Sequence, residues 1–229
     1  MSEIKEFTKG SLNPRNLLNT ISYKLRFAQD NPDYFYPAGI WVFCGPQGSG
    51  KTLSMVQCLK RMLKEYPNAM VCSNIDIKGL NVPVIPFEEY EQLLTLTNGV
   101  NGIIFAIDEL HVLWNSLESK EIPISEMATF CQMRKDRRVI LGTSQVYSRI
   151  AKPIREQLQY VIECRNFGSV LQVNEVLDPA YCLERDGNLE AQKIATRIWF
   201  HTPELYSSYD TLFKIKKAKR IEPPKGGKR

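Results

Sequence analysis

The sequence predicts an α/β fold: a mainly parallel central sheet flanked by helices, with an edge β-hairpin near the C-terminus. Two observations carry this. Apolar runs of strand length alternate along the chain with stretches of helical periodicity, the order expected of a sheet covered on both faces. The runs Ile40–Cys44 and Ile103–Ile107 are apolar at every position, which fits strands buried on both faces rather than on one. A chain of 229 residues with 43% apolar composition is long enough to bury a sizeable core in one domain.

Taken in order, Asn13-Pro14 opens a helix with Leu17, Leu18, Ile21 and Leu25 at helical spacing, stopped near Asn31-Pro32-Asp33. The first strand is Ile40–Cys44. Lys51–Tyr66 reads as a helix, with Leu53, Val56, Leu59 or Leu63, Met62 and Tyr66 on one stripe and Gln57, Lys60, Arg61, Lys64 and Glu65 on or near the other face. Pro67 ends it. A second strand covers Ala69–Ser73, and Glu88–Leu96 is helical. The turn signals Asn98-Gly99 and Asn101-Gly102 lead into the strand Ile103–Ile107. A helix over 124–135 precedes the strand Arg138–Thr143. A short helix near Pro153–Leu158 then leads to the strand Tyr160–Cys164. Val170–Val176 and Ala195–Phe200 are strand-like, with Asp186-Gly187-Asn188 as the turn signal between them, so they are expected to form the edge hairpin.

The expected organisation is an α/β domain over residues 1–213, of which 1–36 form a helical N-terminal extension, followed by a basic, flexible tail at 214–229. The tail carries eight Lys or Arg and one Glu, a charge of +7, against −2 for the rest of the chain. Such an arm is either a solvated end or a salt-sensitive contact to a phosphate backbone. The six cysteines are scattered without a C-x-x-C pair, and there are only two histidines. They read as reduced, mostly buried small side chains rather than as zinc ligands or disulfides. No apolar run reaches the length of a membrane span, and the N-terminus lacks a signal-peptide pattern.

Between the first strand and the helix after it stands Gly45-Pro46-Gln47-Gly48-Ser49-Gly50-Lys51-Thr52, the pattern G-x-x-x-x-G-K-[ST]. Glycines let successive backbone N–H groups turn toward a phosphate, and the helix N-terminus that follows favours an anion. Lys51 supplies a point charge for the β- and γ-phosphates, and the Thr52 hydroxyl is a ligand for Mg²⁺. This P-loop (Walker A motif) implies ATP with Mg²⁺. The strand Ile103–Ile107 ends in Asp108-Glu109, which fits a Walker B motif. Asp108 would hold the Mg²⁺ shell, mostly through water, and Glu109 would orient the attacking water and accept its proton. A carboxylate in that place fits hydrolysis better than phosphoryl transfer to a metabolite. A third strand, Arg138–Thr143, runs into Ser144-Gln145. If it lies between the other two, as in the additional-strand, RecA-like class of P-loop ATPases, Gln145 reaches the γ-phosphate or the water.

In this order, the P-loop, Ile-Asp-Glu-Leu-His, Gln-Met-Arg-Lys and Gly-Thr-Ser-Gln resemble the FtsK–HerA superfamily of DNA-pumping ATPases. The stretch 142–156 (GTSQVYSRIAKPIRE) is similar to two of its branches: the genome-packaging ATPases of membrane-containing, double-jelly-roll viruses and the Zot-like filamentous-phage assembly proteins. The resemblance covers roughly residues 37–165 and, more loosely, 205–211. It implies a homo-oligomeric, hexameric ring with ATP at subunit interfaces and double-stranded DNA in the channel. It also implies an arginine on the helix before the sensor strand that is offered to the neighbour's ATP. Arg134, eleven residues ahead of Gln145, is the candidate, with Lys135, Arg137, Arg138 and Arg149 as competitors. A guanidinium supplied in trans would stabilise charge on the transferring phosphoryl group. Arg149, Lys152 and Arg155 face DNA, an adjacent subunit or solvent, and the loop Trp114–Pro123 with Lys120 is a further DNA-facing candidate. Zot-like proteins carry a membrane-spanning helix after the ATPase domain, which these 229 residues do not show. The expectation is therefore a packaging motor in the host cytoplasm or at a capsid vertex. The alternatives are a Zot-like or plasmid-transfer ATPase with a membrane partner, a P-loop small-molecule kinase, and a nucleotide-gated structural or interaction protein with negligible turnover.

Overall fold

A computed structural model of the chain describes residues 13–117, 124–185 and 188–209. The basic arm, Lys120 and its neighbours, and Asp186-Gly187 lie outside the described residues. The chain divides into two compact units between Tyr34 and Phe35.

The first unit contains the helix α1 (Pro14–Asp30). Asn13 caps it by accepting from the Arg15 N–H, Pro14 starts it, and the Asn31 amide closes it on the Phe27 carbonyl. None of its residues is buried; Leu17, Leu18, Ile21 and Leu25 are exposed.

The second unit is built on an eight-stranded sheet. Its strands are β1 (Gly39–Cys44), β2 (Met70–Ser73), β3 (Val84–Pro86), β4 (Ile103–Ile107), β5 (Arg138–Ser144), β6 (Leu158–Phe167), β7 (Leu171–Leu177) and β10 (Lys193–Phe200). The spatial order is β10-β7-β6-β1-β5-β4-β2-β3. From β6 to β3 every pairing is parallel, and β7 and β10 add antiparallel strands at one edge. The predicted α/β class holds, with β5 lying between β1 and β4.

The helix α2 (Lys51–Glu65) covers one face. Leu53, Met55, Val56, Cys58, Leu59 and Met62 are buried against Phe43, Val71, Ile104, Ala106, Val139, Leu141 and Ile162. Each fully buried large side chain contributes about 1.5–3 kcal/mol before entropic costs. On the other face Ile40, Val42, Phe105, Ile107 and Ile140 pack under a second layer. That layer includes α3 (Gln92–Thr95), α4 (Ile124–Gln132), α5 (Lys152–Arg155) and Trp114. The Trp114 indole N–H donates to the Tyr90 hydroxyl at 2.8 Å, and its ring meets Phe130 edge-on.

Several sequence-based boundaries change. The helix expected over Glu88–Leu96 shrinks to α3, because the Gln92 amide oxygen accepts from the N–H groups of Glu88 and Glu89 and turns the chain there. The helix expected to reach Lys135 stops at Gln132, so Arg134 lies in the turn that follows rather than on the helix. The antiparallel edge pair forms between β7 and β10. However, a separate two-stranded hairpin, β8 (Leu183–Arg185) and β9 (Asn188–Glu190), intervenes. Asn188 is the first residue of β9, so the expected turn signal does not join β7 to β10. The short strand β3 is an addition to the sequence-based expectation; its Pro86 is tolerated because the strand is at the sheet edge. Five cysteines are buried, Cys131 is exposed, and all six are free.

Candidate active site

The C-terminal ends of β1, β4 and β5 lie side by side, with Cys44 paired to Ser144 and Ile107 to Gly142. Whatever follows these strands must therefore converge. Gly45–Thr52 leaves β1 and enters α2 through Gly50, whose φ of +81° makes it a left-handed N-cap without a side-chain partner. The free N–H groups of the first turn thus open toward the loop. Lys51, only 8% exposed, folds back so that Nζ donates to the Pro46 carbonyl at 2.9 Å.

Asp108 is the hub opposite. Its Oδ1 accepts from the Thr52 hydroxyl at 3.0 Å and from the Thr143 hydroxyl at 2.7 Å. Its backbone is clamped by Asn74, which accepts from the Asp108 N–H and donates to the Asp108 carbonyl. Burial raises the Asp108 pKa, and Glu109 adds to that; the hydrogen bonds from Thr143 and Thr52 and the charge of Lys51 pull it back down. A desolvated carboxylate beside a threonine hydroxyl is a hard oxygen donor set of the type Mg²⁺ takes. Among the described residues no cluster of three His, Cys, Asp or Glu could hold a metal. A divalent ion held by Thr52 and Asp108 would complete its shell with water and phosphate oxygens.

Glu109 adopts a left-handed backbone, φ +56°, a conformation that costs a non-glycine residue about 1–2 kcal/mol. The Thr143 hydroxyl oxygen accepts from its N–H at 2.9 Å, and the Gln145 amide donates to its Oε1 at 2.9 Å. His111 Nδ1 stands 3.1 Å from the other carboxylate oxygen. The strand-end acid is thus held by the end of the neighbouring strand β5, with its carboxylate aimed by Gln145.

Lys51, Thr52, Asp108, Glu109 and Gln145 are therefore brought together. The arginines are not. Arg134 is exposed in the turn that leads into β5, the end of the strand remote from the P-loop. It lines a 430 Å³ cavity with Tyr36, Ala38 and Gln159 at the starts of β1 and β6. Arg138 is buried, and its guanidinium donates to the carbonyls of Leu93 and Leu94, so it ties α3 to β5. Arg149 is exposed, Lys152 pairs with Glu156 at 3.8 Å, and the Arg155 guanidinium lies over the Tyr147 ring.

Sequence reasoning missed Asn74, Thr143 and the support behind the P-loop. Gln172 on β7 donates to the Ser49 carbonyl at 2.9 Å, Asn174 accepts from Ser54, and Asn166 on β6 donates to the Gly48 carbonyl. A polar strand end beside the acidic one was the available signal for Thr143; none pointed to Gln172.

These strands, this loop and this acidic strand end together define a P-loop NTPase fold of the additional-strand, RecA-like class. A solved structure shares it, and others resemble it more remotely. The N-terminal domain of zonular occludens toxin from Neisseria meningitidis superposes with a TM-score of 0.52 at 17% identity, over 76% of this chain and 99% of that one. The genome packaging NTPase B204 from Sulfolobus turreted icosahedral virus 2, solved with ATP-gammaS, gives 0.48 at 10% identity, over 69% of this chain and 98% of that one. The flagellar accessory protein FlaH from Methanocaldococcus jannaschii gives 0.41 at 13%, over 61% and 78%. At 17% identity the first likeness speaks for the fold alone, and the other two are too remote to add to it. No family profile and no curated protein sequence matches the chain.

Proposed function

We propose that the chain is an ATP-hydrolysing motor that moves double-stranded DNA into a viral capsid. The observation that carries the hydrolytic part is the Gln145–Glu109 hydrogen bond across β5 and β4, directly beside the Thr52–Asp108 pair. It gives a phosphate cradle with a metal corner and a preset base. Lys51 would release the Pro46 carbonyl to reach the β- and γ-phosphates, and Thr52 and Asp108 would hold Mg²⁺. The ion supplies charge neutralisation at the transferring phosphoryl group. Glu109 would orient a water and accept its proton, with Gln145 fixing the carboxylate and reaching the γ-phosphate.

Arg134 is remote from its own chain's P-loop, so an arginine finger at this position would act in trans on a neighbouring copy, within a ring that this reading takes to be a hexamer. The DNA and capsid parts rest on the sequence resemblance over 142–156, and Arg149, Lys152 and Arg155 remain the proposed DNA or subunit contacts. The 1–213 domain and the basic 214–229 arm are proposed on the same footing. Among the described residues no helix is long and apolar enough to cross a membrane.

Steady-state ATP hydrolysis with and without duplex DNA, paired with electron microscopy, tests this reading. Wild type should turn over ATP faster with DNA and form threaded rings, Lys51→Ala should be inactive, and Glu109→Gln should bind ATP without hydrolysing it. Unchanged turnover in Glu109→Gln removes the role given to that residue. Phosphate transfer to a metabolite with no DNA response would mean a kinase, and a requirement for membranes or a coat protein would favour the assembly or plasmid-transfer alternative.

A further inference from the structure

The γ-phosphate end of the site is fixed by Asp108, Glu109 and Gln145 on β4 and β5. On the other side of β1 stand β6 and β7, the side open to the nucleoside of a nucleotide whose γ-phosphate meets these residues. The β6–β7 connection is a tight turn in which Gly168 and Ser169 are both left-handed, φ +60° and +56°, closed by the Val170 N–H on the Phe167 carbonyl. Asn166 ties the turn to the P-loop: its amide donates to the Gly48 carbonyl while its Oδ1 accepts from the Ser169 N–H.

The segment leaving β10 is fastened to the same turn. The His201 N–H donates to the Val170 carbonyl, the Tyr206 hydroxyl donates to the Ser169 carbonyl at 2.8 Å, and His201 Nδ1 lies within hydrogen-bond reach of both Tyr206 and Ser169. His201 Nε2 is 3.2 Å from Gln172 Oε1, and Gln172 holds the Ser49 carbonyl, so the imidazole stands one side chain away from the phosphate loop. The His201 and Tyr206 rings meet edge-on at 5.4 Å, and Tyr206 is still 45% exposed. The segment then runs on beside α2 through buried Leu205 to the Ile77–Tyr209 bridge, where burial and the nearby Asp108 charge push the Tyr209 hydroxyl up to about 12. Tyr206 is thus a half-exposed aromatic ring held by its hydroxyl and joined to the P-loop through His201 and Gln172.

We propose that the Gly168-Ser169 turn with His201 and Tyr206 is the nucleoside subsite, in which the purine of the nucleotide stacks on Tyr206. This rests on the nucleotide-binding reading and deepens it.

Calorimetry with MgADP and with magnesium pyrophosphate separates the two parts, because pyrophosphate occupies the P-loop without a nucleoside. Base stacking on an aromatic side chain makes Tyr206→Ala lose ADP affinity by roughly tenfold or more. Its pyrophosphate affinity, which also reports a folded protein, should stay within about twofold, and Tyr206→Phe should keep ADP binding. Should the alanine variant not fold, Tyr206→Trp carries the test, with indole fluorescence quenched by ADP and unaffected by pyrophosphate. Parallel loss of both ligands in Tyr206→Ala, unchanged ADP binding in it, or no ADP-specific quenching would overturn the subsite. A wild-type protein that binds neither ligand would instead overturn the nucleotide reading on which it stands.

Discussion

Replacing Gly50 with alanine tests whether the antiparallel edge of the sheet supports the P-loop. The φ of +81° at Gly50 costs an L-residue about 1–2 kcal/mol. An added Cβ would also come within 2.2 Å of Gln172 Oε1 and 2.9 Å of its Cδ. Gln172 cannot swing away, since it is fully buried and its amide is spent on the Ser49 carbonyl and on Asn174. Forcing it aside adds about 1–3 kcal/mol of overpacking, for a total of roughly 2–5 kcal/mol. Gly48 is the control: its φ is +79°, but nothing lies within 4 Å of its would-be Cβ. Gly48→Ala therefore carries the backbone strain without the collision. At about 2–4 °C per kcal/mol for a domain of this size, Gly50→Ala should melt roughly 2–12 °C below Gly48→Ala. Adding Gln172→Ala to Gly50→Ala should cost less than the sum of the two single changes. Thermal melts of the four variants decide it. Equal melting of the two glycine variants, or strict additivity in the cycle, would show that Gln172 does not brace the loop.

Asp108→Asn should stabilise the ligand-free protein at neutral pH while stopping Mg²⁺-dependent hydrolysis, since asparagine keeps an acceptor for Thr52 and Thr143 without the buried charge. Burial raises the folded pKa above the ordinary 3.8, so the wild-type carboxylate loses stability as pH rises through that range. The melting difference should therefore vanish below about pH 3.8 and be fully present at pH 7; a pH-independent difference would contradict the assignment. Of the six thiols, Cys131 alone is exposed, while burial raises Cys44, Cys58, Cys72, Cys164 and Cys182. An aromatic disulfide reagent at about pH 7.5 should count one prompt thiol, and six only in denaturant. Leu59→Ala, in the core under α2, should cost about 2–5 kcal/mol in denaturant unfolding; a loss below about 1 kcal/mol would mean the site collapses freely.

Much of this was legible in the chain because the relevant signals are local. The P-loop is eight contiguous residues whose backbone does the binding, and the fully apolar runs Ile40–Cys44 and Ile103–Ile107 could only be central strands. Asp108 and Gln145 followed from standing at strand ends. What stayed hidden depends on which face of a strand turns inward. Along β7 the polar Gln172 and Asn174 alternate with Leu171 and Val173, a pattern that normally reads as polar outside and apolar inside. Here the phase is inverted: Gln172 and Asn174 are buried against the P-loop and α2, while Ile198 and Phe200 on the paired strand β10 are exposed. Only the tertiary neighbour, a loop with carbonyls to satisfy, makes that arrangement favourable. Arg138 illustrates the same limit. In sequence it is one of a cluster of basic residues, and in the fold it is a buried clamp on α3.

The proposed function requires the loop Gly45–Thr52 and Asp108 to enclose a triphosphate with its metal. Titrating MgATP into the folded protein in a calorimeter, beside Lys51→Ala, addresses that directly. One saturable site per chain in wild type, lost in Lys51→Ala, is the predicted result. No heat of binding in folded wild type at millimolar Mg²⁺, or equal binding by the two proteins, would contradict it.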